Sequence, residues 1–307
     1  MKIERYLKML FLFLLIVFLQ AYPYRALGEE SRVSAIREPI LAGTWYPGDK
    51  NSLSQTLETY LSKVSPGPAA DIKGIIVPHA GHIYSGQVAA YAYKKLKTMD
   101  IDRVIMIGPS HRFGFRGVSV NLQSAYKTPL GIVPVDQGFA KKLIEADDHI
   151  NYVPQAHAQE HSLEIQLPFL QSVLKDFKIV PIVMGEQDLK TCSMLSVILA
   201  KLTKEAEKTL LLASTDLSHF HGDNLARELD RKFINHVKEF DPAGLSRSLD
   251  SGTCEACGGG PVCTVMLASG ALGADSTRIL SYANSGDMTG DKKKVVGYMS
   301  AILFKSK

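Results

Sequence analysis

Four short stretches of this chain carry side chains able to bind a metal: Pro78-His79-Ala80-Gly81, Gly108-Pro109-Ser110-His111, Asp216-Leu217-Ser218-His219 and Cys257-Gly258-Gly259. Neutral imidazole suits iron, copper and zinc alike, and cysteine ligates as the thiolate. Each stretch falls where a strand gives way to a loop. In an open α/β sheet such loops line one edge and form the site crevice. His79, His111 and Cys257 are therefore candidate ligands of one ion.

The neighbouring residues widen the choice of chemistry. His219 reads as a ligand or as a general acid/base oriented by Asp216. Ser214, Thr215, Asp216 and Ser218 are equally good helix caps. Cys257 stands just before Gly258-Gly259-Gly260-Pro261 and a helix, and a helix N-terminus favours thiolate. A disulfide from Cys257 to Cys254 or Cys263 is the competing reading. His157-Ala158-Gln159-Glu160-His161 fits the H-x-x-E-H pattern of one class of zinc peptidases, in which two histidines share a helix face. Alternatively, Glu160 and Glu164 are first-turn acids that complement a helix dipole. Trp45, the only tryptophan, sits in a turn framed by Gly43 and Pro47, as a packing anchor or a pocket wall.

The elements that must position these residues follow from periodicity. The β-branched run at 74–77 and the apolar runs at 103–107, 179–184 and 210–213 read as buried strands. Helices are expected at 52–64, 87–97, 137–146, 160–175, 189–202, 224–237, 242–249 and 261–272, and closing strands at 279–283 and 295–304. Apolar strands alternating with helices predict an α/β fold, a single three-layer α/β/α sandwich around a mostly parallel mixed sheet.

The first 28 residues stand apart from this fold. A basic start at Lys2, Arg5 and Lys8 precedes the unbroken apolar run 9–19 and small residues at Ala26-Leu27-Gly28. This is the pattern of a signal peptide, and the run falls short of the about 20 residues a span requires. The alternative is an uncleaved anchor with Tyr22 and Tyr24 at the interface. Residues 29–307 form the expected domain, exported to the periplasm or outside the cell, or tethered by its leader. Lys2, Arg5, Lys8 and Arg25 against Glu4 give the leader +3 of the chain's formal +4. The remaining +1 argues against a nucleic-acid surface.

Taken together, the stretches resemble the Memo family, protein B of the AmmeMemoRadiSam system. The resemblance rests on Ala42-Gly43-Thr44-Trp45-Tyr46, Pro78-His79-Ala80-Gly81 with Tyr84-Ser85-Gly86, Gly108-Pro109-Ser110-His111, Glu160-His161-Ser162-Leu163-Glu164, Ser214-Thr215-Asp216-Leu217-Ser218-His219 and Cys257-Gly258. It implies a fold like that of class III extradiol dioxygenases and a pocket binding one iron or copper ion, with zinc less favoured. The ligands it implies are His79, His111 and Cys257. His219, Asp216 and His161 would be the catalytic groups, and Trp45, Glu160 and His82 would line the pocket. The family often has an aromatic where His82 stands, so His82 could add a ligand or lie exposed. A thiolate in place of the dioxygenase carboxylate favours iron or copper redox handling over ring cleavage. The resemblance also implies a functional link to AMMECR-type and radical-SAM proteins, and a small-molecule or peptide ligand. The reading that competes with a redox enzyme is a non-catalytic metal carrier or peptide-binding module.

Overall fold

The computed structural model describes residues 35–306, apart from 66, 68–69 and 205–207. The leader therefore lies outside the described residues. The first half of the chain runs β1 (Ile36–Arg37), α1 (Lys50–Ser62), β2 (Asp71–Val77), α2 (His82–Leu96), β3 (Arg103–Pro109), β4 (Val118–Val120), β5 (Ala125–Thr128), β6 (Gly131–Pro134), α3 (Gln137–Ala146), β7 (Ile150–Asn151) and α4 (Pro154–Ala158). After a 3-10 turn at Glu164–Gln166 come α5 (Leu167–Val173), β8 (Lys178–Met184), α6 (Leu189–Lys204), β9 (Thr209–Ser214), β10 (His219–His221), α7 (Asp223–Lys238), α8 (Pro242–Asp250), α9 (Gly259–Ala271), β11 (Ser276–Asn284), α10 (Ser285–Thr289) and β12 (Val295–Lys305).

The large sheet has the order β10-β12-β2-β9-β3-β8-β4-β7, with β11 also on β12. Its centre, β2-β9-β3-β8, is parallel, and β12 and β4 flank it antiparallel. A second sheet, β1-β5-β6, is separate. The central strands are apolar on both faces because helices cover both. Ile75, Val77, Val104, Met106, Leu210 and Leu212 face one core, with α1, α2 and α5. Ile76, Ile105, Ile107, Leu211 and Ala213 face the other, with α3, α6 and α9. This alternation is the period-2 signature of a strand buried on both sides, and the architecture is the expected α/β sandwich.

Register sets the site. Val77 of β2 pairs with Ser214 of β9, and Ile107 of β3 pairs with Ala213 of β9. The three strands thus end together, releasing His79, Asp216 and His111 along one edge.

Two elements differ from the sequence expectation, with consequences for the site. Helix α2 begins at His82 rather than near 87, because Gly86 lies inside the helix against the Tyr60 ring rather than in a turn; a Cβ there would come 2.8 Å from Tyr60 Cε2. The expected helix 160–175 is also shorter. Residues 160–162 form a turn in which Glu160 Oε1 accepts the N–H groups of His161 (3.0 Å) and Ser162 (2.9 Å), and α5 starts only at Leu167, with Pro168 in its first turn.

Candidate metal centre

His79 follows β2 directly, and its side chain is buried. Its backbone N–H donates to Asp216 Oδ1 at 2.7 Å. The ring's tautomer follows from the hydrogen-bond network. A hydroxyl has one hydrogen to give, and Ser214 Oγ gives its hydrogen to the Ser162 carbonyl at 2.7 Å. Ser214 Oγ therefore acts as an acceptor towards Gln166 Nε2 (2.8 Å) and His79 Nδ1 (3.0 Å). The Gln166 amide is oriented by Tyr93, whose hydroxyl donates to Oε1 at 2.7 Å, and by the Pro78 carbonyl, which accepts from Nε2 at 3.0 Å. Nδ1 of His79 is thus the protonated nitrogen, and Nε2 carries the free lone pair. Burial, followed by the neighbouring imidazoles of His161, His111 and His219, holds His79 well below the usual histidine range, so it is neutral.

His111 follows β3 and is fixed by Glu160. One carboxylate oxygen accepts the His111 backbone N–H at 2.7 Å, and the other lies 2.9 Å from Nδ1. Burial pushes Glu160 up, but the hydrogen bond and charge of His111, with the His111 and Ser162 N–H groups, outweigh it and bring its pKa down to about 2. The ionised acid takes Nδ1–H and leaves Nε2 of His111 available. A carboxylate behind a ligating imidazole is a recurrent support of metal sites.

His161 lies in the turn after Glu160. Its ring is 4.8 Å from Trp45, 4.3 Å from His111 and 5.3 Å from His79, centroid to centroid. Its Nδ1 is buried without a hydrogen-bond partner, 3.4 Å from Glu160 Oε1. Burial lowers its pKa to about 4 against the pull of Glu160. One nitrogen each from His79, His111 and His161 lies within 4.8 Å of the other two, a set that could hold one metal ion.

Cys257 borders this set, with Sγ 3.0 Å from His79 Nε2. Its loop is stitched to the end of β9: Cys257 N–H donates to the Asp216 carbonyl (3.3 Å), Asp216 N–H to Sγ (3.3 Å), and Gly258 N–H to Thr215 Oγ1 (3.0 Å). The approach requires glycine at 258, where a Cβ would fall 2.4 Å from the Ser214 carbonyl oxygen. All four cysteines are free, so the disulfide alternative is not realised. The expected thiolate is not favoured by position alone. Burial and the Asp216 charge push the thiol up, overriding the start of α9; only a cation in the pocket would reverse that.

Asp216 has a different task from the one expected. Its carboxylate accepts from His79 N–H, and burial raises its pKa to about 7 against that bond and one from Ala80. It thus braces the His79 loop rather than orienting His219. Nor do Ser214, Thr215, Asp216 and Ser218 cap a helix, since β10 intervenes and Gly222 is the cap of α7. His219 is half-buried on β10, and burial lowers its pKa. It shares a pocket of about 530 Å³ with His79, His111, His161, Trp45 and Tyr298. A second depression, of about 570 Å³ beside Leu130 and Phe177, contains none of these histidines.

Two expected participants lie elsewhere. His82, placed inward by the early start of α2, packs on Phe169 (5.0 Å) and Tyr46 (5.6 Å) and meets the Ile165 carbonyl at 3.2 Å, so it belongs to the core rather than the pocket wall. His157 lies in the last turn of α4, and its buried Nε2 lies 2.9 Å from Ser119 Oγ. Because α4 stops at Ala158, His157 and His161 never share a helix face, which removes the geometry of the zinc-peptidase reading. Glu164 is likewise no solvated first-turn acid. Fully buried, it accepts from Arg37 Nη1 (2.6 Å), Leu41 N–H (2.9 Å) and the Tyr46 hydroxyl (2.8 Å), and so anchors the segment bearing Trp45. Ser162, Gln166 and Ser214 are the functional residues that sequence reasoning missed. Ser162 and Ser214 stood within recognised motifs, but their link spans 52 positions.

These features define an α/β sandwich protein with a histidine-rich pocket, edged by a thiol, at the carboxyl ends of its parallel strands. The chain belongs to the Memo-like protein family, whose model matches residues 37–302. A MEMO1 family protein of Methanobrevibacter smithii is 38% identical over 279 residues, covering 87% of this chain and 99% of the relative. One from Nitrosopumilus maritimus is 36% identical over 269 residues, covering 86% and 98%. Among solved structures, an uncharacterized protein from Escherichia coli K12 superposes with a TM-score of 0.50 at 16% identity, covering 76% of this chain and 99% of that one. That likeness concerns the fold alone.

Proposed function

We propose that this chain is a mononuclear iron- or copper-dependent redox protein, its ion held by His79 and His111 with Cys257 and His161 as the adjoining donors. The observation that carries the reading is the lone pair of His79 Nε2, freed by the Ser214 network and directed at Cys257 Sγ on the border of the histidine cluster. Any cation taken by that nitrogen displaces the S–H···N contact and meets the sulfur. A mixed imidazole and sulfur donor set suits iron and copper. A bound ion of either kind would supply one-electron chemistry and a Lewis-acidic face.

The protein's own groups do the rest. Glu160 and Ser214 fix the two ring tautomers, Asp216 braces the His79 backbone, and Trp45 and Tyr298 limit water. His219, half-buried and neutral at pH 7, takes up or releases the proton. The leader is read as an export signal or anchor. A working link to AMMECR-type and radical-SAM proteins is part of the same proposal.

The test is metal analysis of the chain purified without added metal, followed by oxygen uptake with catechols as substrates. About one iron or copper per chain is expected, lost in His79→Ala, together with substrate-dependent oxygen uptake. Zinc alone would refute the redox reading, and full iron or copper loading without turnover would leave a metal carrier.

A further inference from the structure

We propose that Gln187 is a positioning residue of the metal centre: its carboxamide spans the glycine run behind Cys257 and so sets where the Cys257 sulfur stands beside His79. The role rests on reading Cys257 as a donor of the site.

Cys257 is followed by Gly258-Gly259-Gly260, and glycine carries more backbone freedom than any other residue. The small residues are imposed by close neighbours. A Cβ would strike the Ser214 carbonyl oxygen at 258, Leu249 Cδ1 at 259 and Gln187 Cβ at 260. The run thus lets the loop pass close to β9 but does little by itself to hold it there. Gly258 N–H reaches Thr215 Oγ1 at 3.0 Å, while the two N–H contacts that join Cys257 to Asp216 are 3.3 Å.

Gln187 grips both ends of the run. Its Nε2 donates to the Cys257 carbonyl at 3.0 Å, and its Oε1 accepts the Gly260 N–H at 2.9 Å. A backbone carbonyl only accepts and a backbone N–H only donates, so the orientation of the amide is fixed. A carboxylate would supply the acceptor alone.

The residue is itself firmly rooted. It follows β8, the sheet neighbour of the strand that releases His111. Just before it, the Gly185 and Glu186 N–H groups donate to the Gly117 carbonyl at 2.9 and 3.2 Å, and Glu186 Oε2 accepts the Gly117 N–H at 2.9 Å. Just after it, Asp188 accepts the Thr191 N–H and hydroxyl, both at 3.0 Å, at the start of α6. A side chain seated between two such anchors can hold a loop that its own glycines leave free.

The Oε1 bond also serves α9, whose cap Gly258 has no side chain to offer. A cap alone protects the first turn of α9, whereas a positioning group acts on Cys257, and the two roles separate by experiment. Gln187→Met keeps a neutral side chain of similar length and removes both hydrogen bonds. The full chain is treated with iodoacetamide at pH 7 in the presence of a chelator, and each cysteine is followed by mass spectrometry. Buried Cys192, with Sγ 3.4 Å from the Gly260 carbonyl, and buried Cys263, on α9, report on the start of that helix. Cys257 is expected to react about 10-fold faster in the variant, because losing two hydrogen bonds lets its loop open, while Cys192 and Cys263 keep their parental rates. Nitrogen NMR should show a moved His79 Nε2 resonance as the sulfur leaves its 3.0 Å contact. An unchanged Cys257 rate or an unmoved His79 resonance would overturn the proposal. So would a parallel rise at Cys192 or Cys263, which would mark Gln187 as a cap of α9 only. The protein is chelated throughout, so failure of the metal reading leaves this result intact and appears instead in the metal content of the chain as isolated.

Discussion

His79 and His161 face one another across the pocket at 5.3 Å, held by opposite means. His79 leaves the end of a central parallel strand and is hydrogen-bonded at its backbone N–H and at Nδ1. His161 sits in a turn, with Nδ1 unpartnered and its ring held by contact with Trp45 and His111. One side of the site is therefore set by the sheet. The other is set by a turn, and its buried Nδ1, 3.4 Å from Glu160 Oε1, makes no hydrogen bond. A donor whose ring is locked by hydrogen bonds thus stands beside one whose ring is placed by packing alone.

Removing the rigid side should have the largest effect. His79→Ala is expected to lower iron or copper affinity by more than about 100-fold, beyond the usual loss from a supporting residue. His161→Ala should lower it by about 10-fold, near the low end of that range. Competition titration against a chelator measures both. Equal losses would erase the distinction between the two sides.

The network behind His79 provides the next test. Ser214→Ala removes the acceptor that keeps the proton on Nδ1, while Gln166 and Ser162 stay buried. A 10- to 100-fold loss of metal affinity is expected, with nitrogen NMR of the His79 ring showing mixed tautomers. Retention of a single Nδ1–H tautomer in the variant would show that the serine does not select it.

The same contrast explains what the sequence could reveal. His79 and His111 were legible because each follows a strand whose apolar pattern announces it, and the end of a parallel strand is a known address; Cys257, expected at a strand end, lies instead in the loop between α8 and α9. The sandwich was legible for the same reason. The residues alone offered His161 a place in a helical zinc motif because Glu160 looks like a helix acid, and only the family resemblance put it in the pocket where it lies. Glu160 becomes a turn-maker only when its carboxylate meets His111, 49 residues away. Ser214 read as a cap because its actual partner, the Ser162 carbonyl, belongs to another segment. The resemblance placed His82 at the pocket, whereas the start of α2 at His82 turns its ring onto Phe169 and Tyr46 in the core. Residues acting through their own element were visible, and those acting through a distant one were not.

The smallest effect on metal is expected from His157, the other histidine of that motif. It is buried against Ser119, and burial, with the Arg37 charge, lowers its pKa from 6.5 to about 3. A histidine depressed in the folded state stays neutral there while the unfolded chain takes up a proton. Its contribution to stability is therefore complete above about pH 6.5 and is lost progressively as pH falls toward 3. The expected slope is about 1.4 kcal/mol per pH unit within that window. His157→Gln keeps a polar group beside Ser119 but cannot titrate. Denaturant unfolding of the variant between pH 6 and 4 should show a shallower acid loss by roughly that slope, while metal affinity at pH 7 stays within about twofold of the parent. A parallel fall in metal affinity would mean that the two histidines work as a pair after all, and that the turn separating them is not the boundary between core and site.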